Sequence, residues 1–236
     1  MPVTRLLRGP DAVAEAGQAI VCVGLELEAD ILVKQFATRI SGANVAGLSK
    51  IVRQGCRGFV SFGLAGALSP ELRAGDIVVA SAIVSGNERF PTDDVWSSRL
   101  LSAVPAAIYG PIAGADLAVV ARAARGELGL GSGAIAVDTE SHIIAGLAAA
   151  HLLPLVAIRV VIDPVHRNVP LSALACISND GATKLSRLAR LLLGRPLDAL
   201  GIIRLCADWR AARAALVKSC EGLGASLCRD QLKASA

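Results

Sequence analysis

The chain has 236 residues, of which 53% are hydrophobic, 19% are charged and only 3% are aromatic. This length and apolar content suffice for one sizeable globular domain and exclude an intrinsically disordered protein. The 24 Lys and Arg against 20 Asp and Glu give a net charge of +4. That excess is too small to indicate nucleic-acid binding unless the basic residues cluster, and they cluster only toward the C-terminal end.

The cysteines and the longest apolar segment argue against two further classes. Six cysteines lie far apart without a C-x-x-C pair, so we expect reduced cytoplasmic thiols, no metal site and no redox cofactor. We see no secretory leader. The apolar segment 143–162 contains His151, Pro154 and Arg159, which favours a helix followed by a strand over a membrane span.

In chain order, short apolar runs alternate with segments of helical periodicity. The predicted strands cover residues 19–24, 58–62, 75–84, 106–109, 112–113, 134–138 and 155–162. The predicted helices cover residues 29–40, 46–54, 117–128 and 139–150, followed by a helical tail over 171–219. Glu26 and Glu28 fall in a loop after the first strand, 63–68 reads as a glycine-rich turn, and 85–98 reads as an irregular polar loop.

This order predicts an α/β fold with a central mixed sheet covered by helices on both faces. In such sheets the ligand binds beyond the carboxyl ends of the strands. We expect a catalytic domain over residues 1–170, and a basic helical C-terminal extension over 171–236 that packs on it and is not a separate domain.

Four charged residues fall in or next to predicted strand ends: Glu28, Glu140, Arg159 and Asp163. Charges in apolar surroundings are costly unless they are paired or used. One interpretation is structural, with Glu140 and Arg159 in an ion pair and Asp163 beginning a turn. The other is acid–base chemistry on a polar small molecule, such as a glycosidic bond whose transition state needs nearby negative charge. Spacing alone does not choose between them.

Four runs, in this order, resemble the nucleoside phosphorylase superfamily, and in particular its methylthioadenosine/S-adenosylhomocysteine nucleosidase branch. They are residues 23–28, 61–79, 136–141 and 157–163. The resemblance implies a three-layer phosphorylase-like fold. It also implies an enzyme that cleaves the N-glycosidic bond of a nucleoside, working as a homo-oligomer, with a homodimer expected.

A narrower resemblance is to the hopanoid-associated phosphorylase subfamily. It rests on residues 87–90, 109–116 and 138–142 and on the basic, leucine-rich tail. This resemblance implies release of adenine from adenosylhopane in hopanoid biosynthesis. The alternatives are a methylthioadenosine/S-adenosylhomocysteine nucleosidase and a non-catalytic nucleoside-binding protein on the same fold.

The resemblance also implies roles for individual residues. Asp163 matches the aspartate that protonates the purine at N7. Glu140 matches the glutamate that binds the ribose hydroxyls, Glu28 matches the glutamate that activates water, and Arg159 matches an arginine near that water. Small residues of the glycine-rich turn would bring the backbone close to the sugar: Gly63, Ala65 and Gly66.

Other positions depart from the pattern of the nucleosidases. Thr139 stands where they have a methionine against the ribose, and Ala118 and Val119 stand where an aromatic and an aliphatic residue flank the base. We expect Phe90 or Trp96, from the predicted polar loop, to supply the missing aromatic face.

The choice between hydrolysis and phosphorolysis depends on the nucleophile pocket, because phosphate needs cationic or backbone donors and is repelled by carboxylates. Phosphorolytic relatives place an arginine in the first loop, where this chain has Glu26 and Glu28. A serine of the glycine-rich turn is replaced by Leu64. Both departures favour water, with phosphate as the alternative co-substrate.

The basic tail has two interpretations. Apolar clusters at 188–193 and 200–205, bordered by arginines, fit helices that lie on an anionic membrane surface. Long basic side chains also cover apolar stripes packed on a domain or on a partner subunit. We expect a cytoplasmic enzyme with peripheral contact at the inner membrane face, an adenosyl small molecule or lipid as ligand, and no nucleic-acid partner.

Overall fold

The computed structural model describes residues 19–32, 48–49, 52–53, 55–166 and 198–233. Parts of the predicted helices over 29–40 and 46–54, and the tail from 171 to 197 with its first apolar cluster, lie outside the described residues.

The structure gives bounds for seven strands and five helices within the described residues. The strands are β1 (Ala19–Cys22), β2 (Gly58–Ala67), β3 (Ile77–Ser85), β4 (Glu88–Pro91), β5 (Ile108–Gly114), β6 (Ala136–Asp138) and β7 (Leu155–Asp163). The helices are α1 (Glu26–Leu32), α2 (Asp94–Ala103), α3 (Arg122–Ser132), α4 (Ser141–Ala150) and α5 (Asp198–Lys233). This is the predicted mixed α/β fold with a helix toward the C-terminus.

The sheet is mixed and closes on itself. β2 pairs in parallel with β7 and antiparallel with β6, β6 and β3 each pair in parallel with β5, and β3 pairs antiparallel with β7. These pairings form a ring of five strands, with β1 added to β2 and β4 added to β3. β2 and β7 pair from Phe59 opposite Leu155 to Gly66 opposite Asp163, with a register shift between Ala65 and Gly66. The carboxyl ends of both strands therefore meet at one place.

Successive residues of the strands point to opposite faces and build two apolar clusters. Phe59 packs in one cluster with Ile144 and Ala148 of α4, whereas Phe62 packs in the other with Leu100 of α2 and Leu216 of α5. Both phenylalanines are fully buried. The sheet is therefore covered by helices on both sides, as the apolar strand runs predicted.

Several element boundaries differ from the sequence predictions. β2 continues through the expected glycine-rich turn to Ala67, because residues 63–66 find partners on β7. The two short strands expected around residue 110 form the single strand β5, and Glu28 lies on α1 rather than in a loop. The helix expected from residue 117 begins only at Arg122.

The expected irregular loop over 85–98 is largely ordered. Gly86 and Asn87 form a two-residue hairpin between β3 and β4, with Gly86 at a φ of 56°, a turn that favours glycine and asparagine. α2 then begins where the Asp93 carboxylate accepts a hydrogen bond of 2.8 Å from the Trp96 amide, an N-terminal cap.

α5 packs against β7, α2 and α1. Its buried positions, Ala212, Leu216, Cys220 and Leu223, recur at helical spacing and form one stripe. Gly222 allows a close approach to the end of α2, because a Cβ atom there would lie 2.4 Å from Val104 Cγ2. A helix suited to crossing a bilayer is absent from the described part of the chain.

Candidate active site

Arg159, inside β7, is the centre of a buried polar network. Its Nε lies 2.9 Å from Asp138 Oδ2. One terminal nitrogen, Nη1, lies 3.4 Å from Glu140 Oε2 and 3.4 Å from the Leu64 carbonyl, and the other, Nη2, donates to the Ser61 hydroxyl at 2.7 Å. Burial lowers the pKa of the guanidinium, but the surrounding carboxylates raise it by more than burial lowers it. Arg159 therefore stays a cation.

Asp138, at the end of β6, joins this network to the first turn of α4. Its Oδ1 accepts hydrogen bonds from the amides of Glu140 at 2.9 Å and Ser141 at 2.7 Å, while Oδ2 faces Arg159. The Ser141 hydroxyl lies 2.9 Å from that of Ser61. Asp138 therefore sets the backbone at Glu140, the predicted ribose-binding residue.

Glu28 is buried near Arg159, with 2% of its surface exposed. Its Oε2 accepts hydrogen bonds of 2.9 Å from the amides of Gly24 and Leu25, and its Oε1 accepts one of 2.8 Å from the amide of Leu64. Burial raises the pKa of Glu28 to about 7, although Arg159 and two of the amides oppose the rise. A carboxyl group with a pKa near neutrality is suited to take a proton from water.

Glycines allow these side chains to come together at the strand ends. A Cβ atom at Gly24 would lie 2.6 Å from Glu140 Cδ. At Gly63, where φ is 153°, a Cβ atom would lie 2.5 Å from Glu28 Oε1 and 2.6 Å from Arg159 Nη1. Glu28, Glu140 and Arg159 are thus gathered around two positions that tolerate no side chain. Glu140 and Arg159 also form the ion pair of the structural interpretation.

Asp163 ends β7 beside Gly66 of β2, where a Cβ atom would lie 3.3 Å from both carboxylate oxygens. Its side chain is 15% exposed, and its Oδ2 pairs with Nη1 of Arg125 on α3, a residue with no exposed side-chain surface. This ion pair holds the Asp163 side chain at the carboxyl end of β7. The proton-donor role expected for Asp163 stays a prediction.

The remaining predicted site residues differ in their surroundings. The Thr139 hydroxyl donates to Glu140 Oε1 at 2.5 Å, which places it at the site. Ala65 is buried in the cluster under α4, Ala118 is exposed, and Val119 packs against a small cluster around Val137.

The two aromatic candidates lie on ordered elements rather than on a loop. Phe90 lies on β4 opposite Ile83 and packs against the cluster that includes α4. Trp96 is buried with Leu100 in the other cluster. The stacking role of Phe90 stays a prediction.

Sequence reasoning missed three residues of the Arg159 network, Ser61, Asp138 and Ser141, and the partner of Asp163, Arg125. The first three belong to the runs that carried the family resemblance, and a polar side chain in or beside an apolar strand run was a usable signal. Arg125 carries no such signal, because it stands in the same helix as the exposed Arg122.

Comparisons with known proteins bear on the family and the fold of this chain. The family model of the phosphorylase superfamily matches residues 28–193. A search of curated protein sequences finds no significant match.

Solved structures with the same fold share little sequence with this chain. The 5′-methylthioadenosine/S-adenosylhomocysteine nucleosidase of Colwellia psychrerythraea, in complex with adenine, aligns with a TM-score of 0.66 at 14% identity over 92% of this chain and 98% of that chain. The corresponding nucleosidase of Helicobacter pylori, with butyl-thio-DADMe-Immucillin-A, aligns with a TM-score of 0.64 at 12% identity over 92% of this chain and 100% of that chain.

The futalosine hydrolase of Helicobacter pylori aligns with a TM-score of 0.61 at 12% identity over 86% of this chain and 97% of that chain. These likenesses confirm the predicted fold. Because the family model spans more than half of its residues, this chain belongs to the phosphorylase superfamily.

Proposed function

We propose that this protein hydrolyses the N-glycosidic bond of an adenosyl compound and releases adenine. The observation that carries the proposal is the arrangement of Glu28 and Arg159 around Gly63. A buried carboxyl with a pKa of about 7 and a guanidinium that is already held by carboxylates both lie next to this glycine. Membership of the superfamily supports cleavage of a nucleoside as the reaction class.

In this proposal each charged residue has one task. Glu28 accepts a proton from the attacking water, and Glu140 binds the ribose hydroxyls and stabilises positive charge on the sugar. Asp163 donates a proton to N7 of the leaving purine, so that adenine departs as a neutral molecule. Gly63 and Gly66 let the substrate approach the backbone of β2.

Water is favoured over phosphate by the state of the donors around Glu28. Arg159 has no exposed surface, and its guanidinium donates to Asp138, Glu140, Ser61 and the Leu64 carbonyl. The amides of Gly24, Leu25 and Leu64 are taken by Glu28 itself. A phosphate dianion would meet a carboxylate and donors already in use, whereas a water molecule needs only an acceptor for its proton.

For the substrate we propose adenosylhopane, on the resemblance to the hopanoid-associated subfamily. A second candidate is methylthioadenosine or S-adenosylhomocysteine, the compounds in the names of two of the similar solved structures. The two differ in the 5′ substituent, which is a large hydrocarbon in the first and a small polar or thioether group in the second.

The test is adenine release from adenosylhopane in detergent, with methylthioadenosine in parallel, in buffers with and without phosphate. Reaction in ¹⁸O-labelled water identifies the nucleophile, because hydrolysis places a water oxygen on C1 of the sugar. We expect phosphate-independent release from adenosylhopane. Strict dependence on phosphate would overturn hydrolysis, and release from methylthioadenosine alone would overturn the lipid substrate.

A non-catalytic nucleoside-binding protein is the rival from another class. The departures from the nucleosidase pattern at Leu64, Thr139 and Ala118 favour it. Tight adenine binding without turnover, unchanged in Asp163→Asn, would support this rival, and turnover of either substrate would exclude it.

We also propose peripheral binding to anionic membranes through α5 and assembly as a homodimer. Arg204, Arg210, Arg213 and Lys218 are exposed along α5, while the apolar stripe of the same helix is buried on the domain. Binding would therefore depend on charge and weaken with salt. Co-sedimentation with vesicles tests membrane binding. Vesicles that contain phosphatidylglycerol are compared with vesicles of pure phosphatidylcholine, each at low and at high salt. Failure to co-sediment with the phosphatidylglycerol vesicles at low salt would overturn membrane binding, and equal recovery with both lipids would overturn its dependence on charge.

Sedimentation equilibrium tests the homodimer, and a monomer mass at all protein concentrations would overturn it.

A further inference from the structure

Arg125 is a fully buried guanidinium on α3 for which the proposed reaction has no task. A buried cation is costly unless it is paired and hydrogen-bonded. Its neighbour on the same face of the helix, Arg122, is exposed, so burial of Arg125 is specific to this position.

The contacts of Arg125 tie two separate segments together. Nη1 pairs with Asp163 Oδ2 and also lies 3.4 Å from the Asp163 carbonyl and 3.2 Å from the Pro164 carbonyl. Nη2 lies 3.5 Å from the Val120 carbonyl. The guanidinium thus connects the end of β7 to the segment just before α3, where Ala118 and Val119 are expected to flank the nucleobase.

We propose that Arg125 is a positioning residue that holds the Asp163 carboxylate and the segment 118–120 in the orientation needed at the leaving base. This inference rests on the proposed function. Backbone carbonyls from both segments anchor the planar guanidinium, so it presents its N–H groups to Asp163 in a fixed direction. On the other side, Gly66 lets the carboxylate lie against the backbone of β2. Asp163 is therefore held from two sides.

Two observations separate this role from general structural support. The contact is made to the side chain of Asp163 itself, not only to neighbouring backbone. In addition, the second segment that Arg125 holds belongs to the predicted nucleobase side of the site and lies outside the two large apolar clusters on the faces of the sheet. A residue that acts through Asp163 loses its effect once Asp163 is altered.

The test is a double-mutant cycle with Arg125→Met, Asp163→Asn and the double variant, with Arg122→Met as the matched control on the same helix. Adenine release gives kcat and KM, and isothermal titration with adenine gives an affinity that requires no turnover. We expect Arg125→Met to lower kcat about 100-fold with a KM change of only a few fold, and to weaken adenine binding about 10-fold. In the Asp163→Asn background the same change should have an effect of less than about 3-fold.

Arg125→Lys covers the case in which Arg125→Met does not fold. It keeps the positive charge but loses the planar guanidinium. We therefore expect a kcat between that of the wild type and that of Arg125→Met. If Arg125→Met is insoluble, the expected kcat of Arg125→Lys is about 10-fold below that of the wild type. Wild-type kcat in Arg125→Lys and Arg125→Met, or losses that multiply in the double variant, would overturn the inference.

The two proposals fail in different ways. If the wild type binds adenine but does not release it from either substrate, the proposed function is overturned. The adenine affinities of the single and double variants then decide the inference. A wild type that neither releases nor binds adenine overturns both. If the wild type turns over normally but the losses of Arg125→Met and Asp163→Asn multiply in the double variant, only the inference is overturned.

Discussion

The Glu28 carboxylate lies directly against Gly63, so closely that a Cβ atom at this glycine would be 2.5 Å from Glu28 Oε1. The same position would be 2.6 Å from Arg159 Nη1. Gly63 lies within β2 and is paired with Arg159 of β7, so neither strand can move aside without breaking the pairing. The absence of a side chain at residue 63 is therefore a condition for the proposed nucleophile pocket.

Gly63→Ala should abolish adenine release and destabilise the protein by about 1–3 kcal/mol, because it adds overpacking to a backbone conformation that suits glycine. Gly146→Ala on α4 is the control, since a Cβ atom there has no neighbour within 4 Å. In that variant we expect unchanged activity and slightly higher stability. Urea denaturation and initial rates check both. A Gly63→Ala enzyme with normal rates would contradict the proposed position of the pocket.

The pH dependence of the reaction should report on Glu28. Its pKa is about 7, and a general base must be deprotonated, so kcat/KM should rise with pH and reach a plateau above neutrality. Glu28→Gln should lower kcat by about 10²–10⁴-fold and remove this rise. Initial rates from pH 5 to 8.5 measure it. If kcat/KM of Glu28→Gln still rises with pH in the same range, a group other than Glu28 causes the rise.

Glu28 should also make the protein less stable as the pH rises. Its pKa is raised from 4.5 to about 7 in the folded protein, so the folded state binds the proton more tightly than the unfolded state. The free energy of unfolding should then decline as the pH increases from about 4.5 to about 7, by at most about 3 kcal/mol from this residue. Urea denaturation across this range, compared with Glu28→Gln, isolates the contribution, and parallel curves for the two proteins would disprove it.

Asp138→Asn should loosen the first turn of α4 and the Arg159 network together. Asp138 accepts from two α4 amides with one oxygen and faces Arg159 with the other, so an amide group must turn its N–H donors toward one of them. We expect a loss of about 2–4 kcal/mol in the free energy of unfolding and a higher KM, since Glu140 is no longer held.

Asp116→Asn is the control for this change, because Asp116 is 96% exposed and pairs only with His142 at 3.1 Å among the contacts described for it. An exposed pair contributes about 0–1 kcal/mol. Equal losses in the two variants, measured by thermal or urea unfolding, would contradict the role of Asp138.

Much of the site could be predicted because its charges stand out in apolar sequence. Arg159 is the one charged residue in a run of seven buried positions in β7, and a charge there must be paired. The hairpin at Gly86 and Asn87 was also predictable, because a two-residue turn containing glycine and asparagine is a hairpin signal. Residues 85–98 were instead predicted to be an irregular polar loop.

Arg125 could not be predicted in the same way. It and Arg122 stand three residues apart in a stretch of alanines and glycines, and helical periodicity alone assigns neither of them to the interior. Only the packing of α3 against the end of β7 buries one and leaves the other in solvent.

By itself, the sequence determined the superfamily, the mixed α/β fold and the charged residues at the strand ends, because these follow from local apolar patterns and from motifs in a given order. The tertiary structure decided which charges meet. Closing β2, β3, β5, β6 and β7 into a ring brings Ser61, Asp138 and Arg159 within hydrogen-bonding distance although they are far apart in the chain. Burial at that junction then raises the pKa of Glu28, an effect of desolvation that arises only once the strands have excluded water.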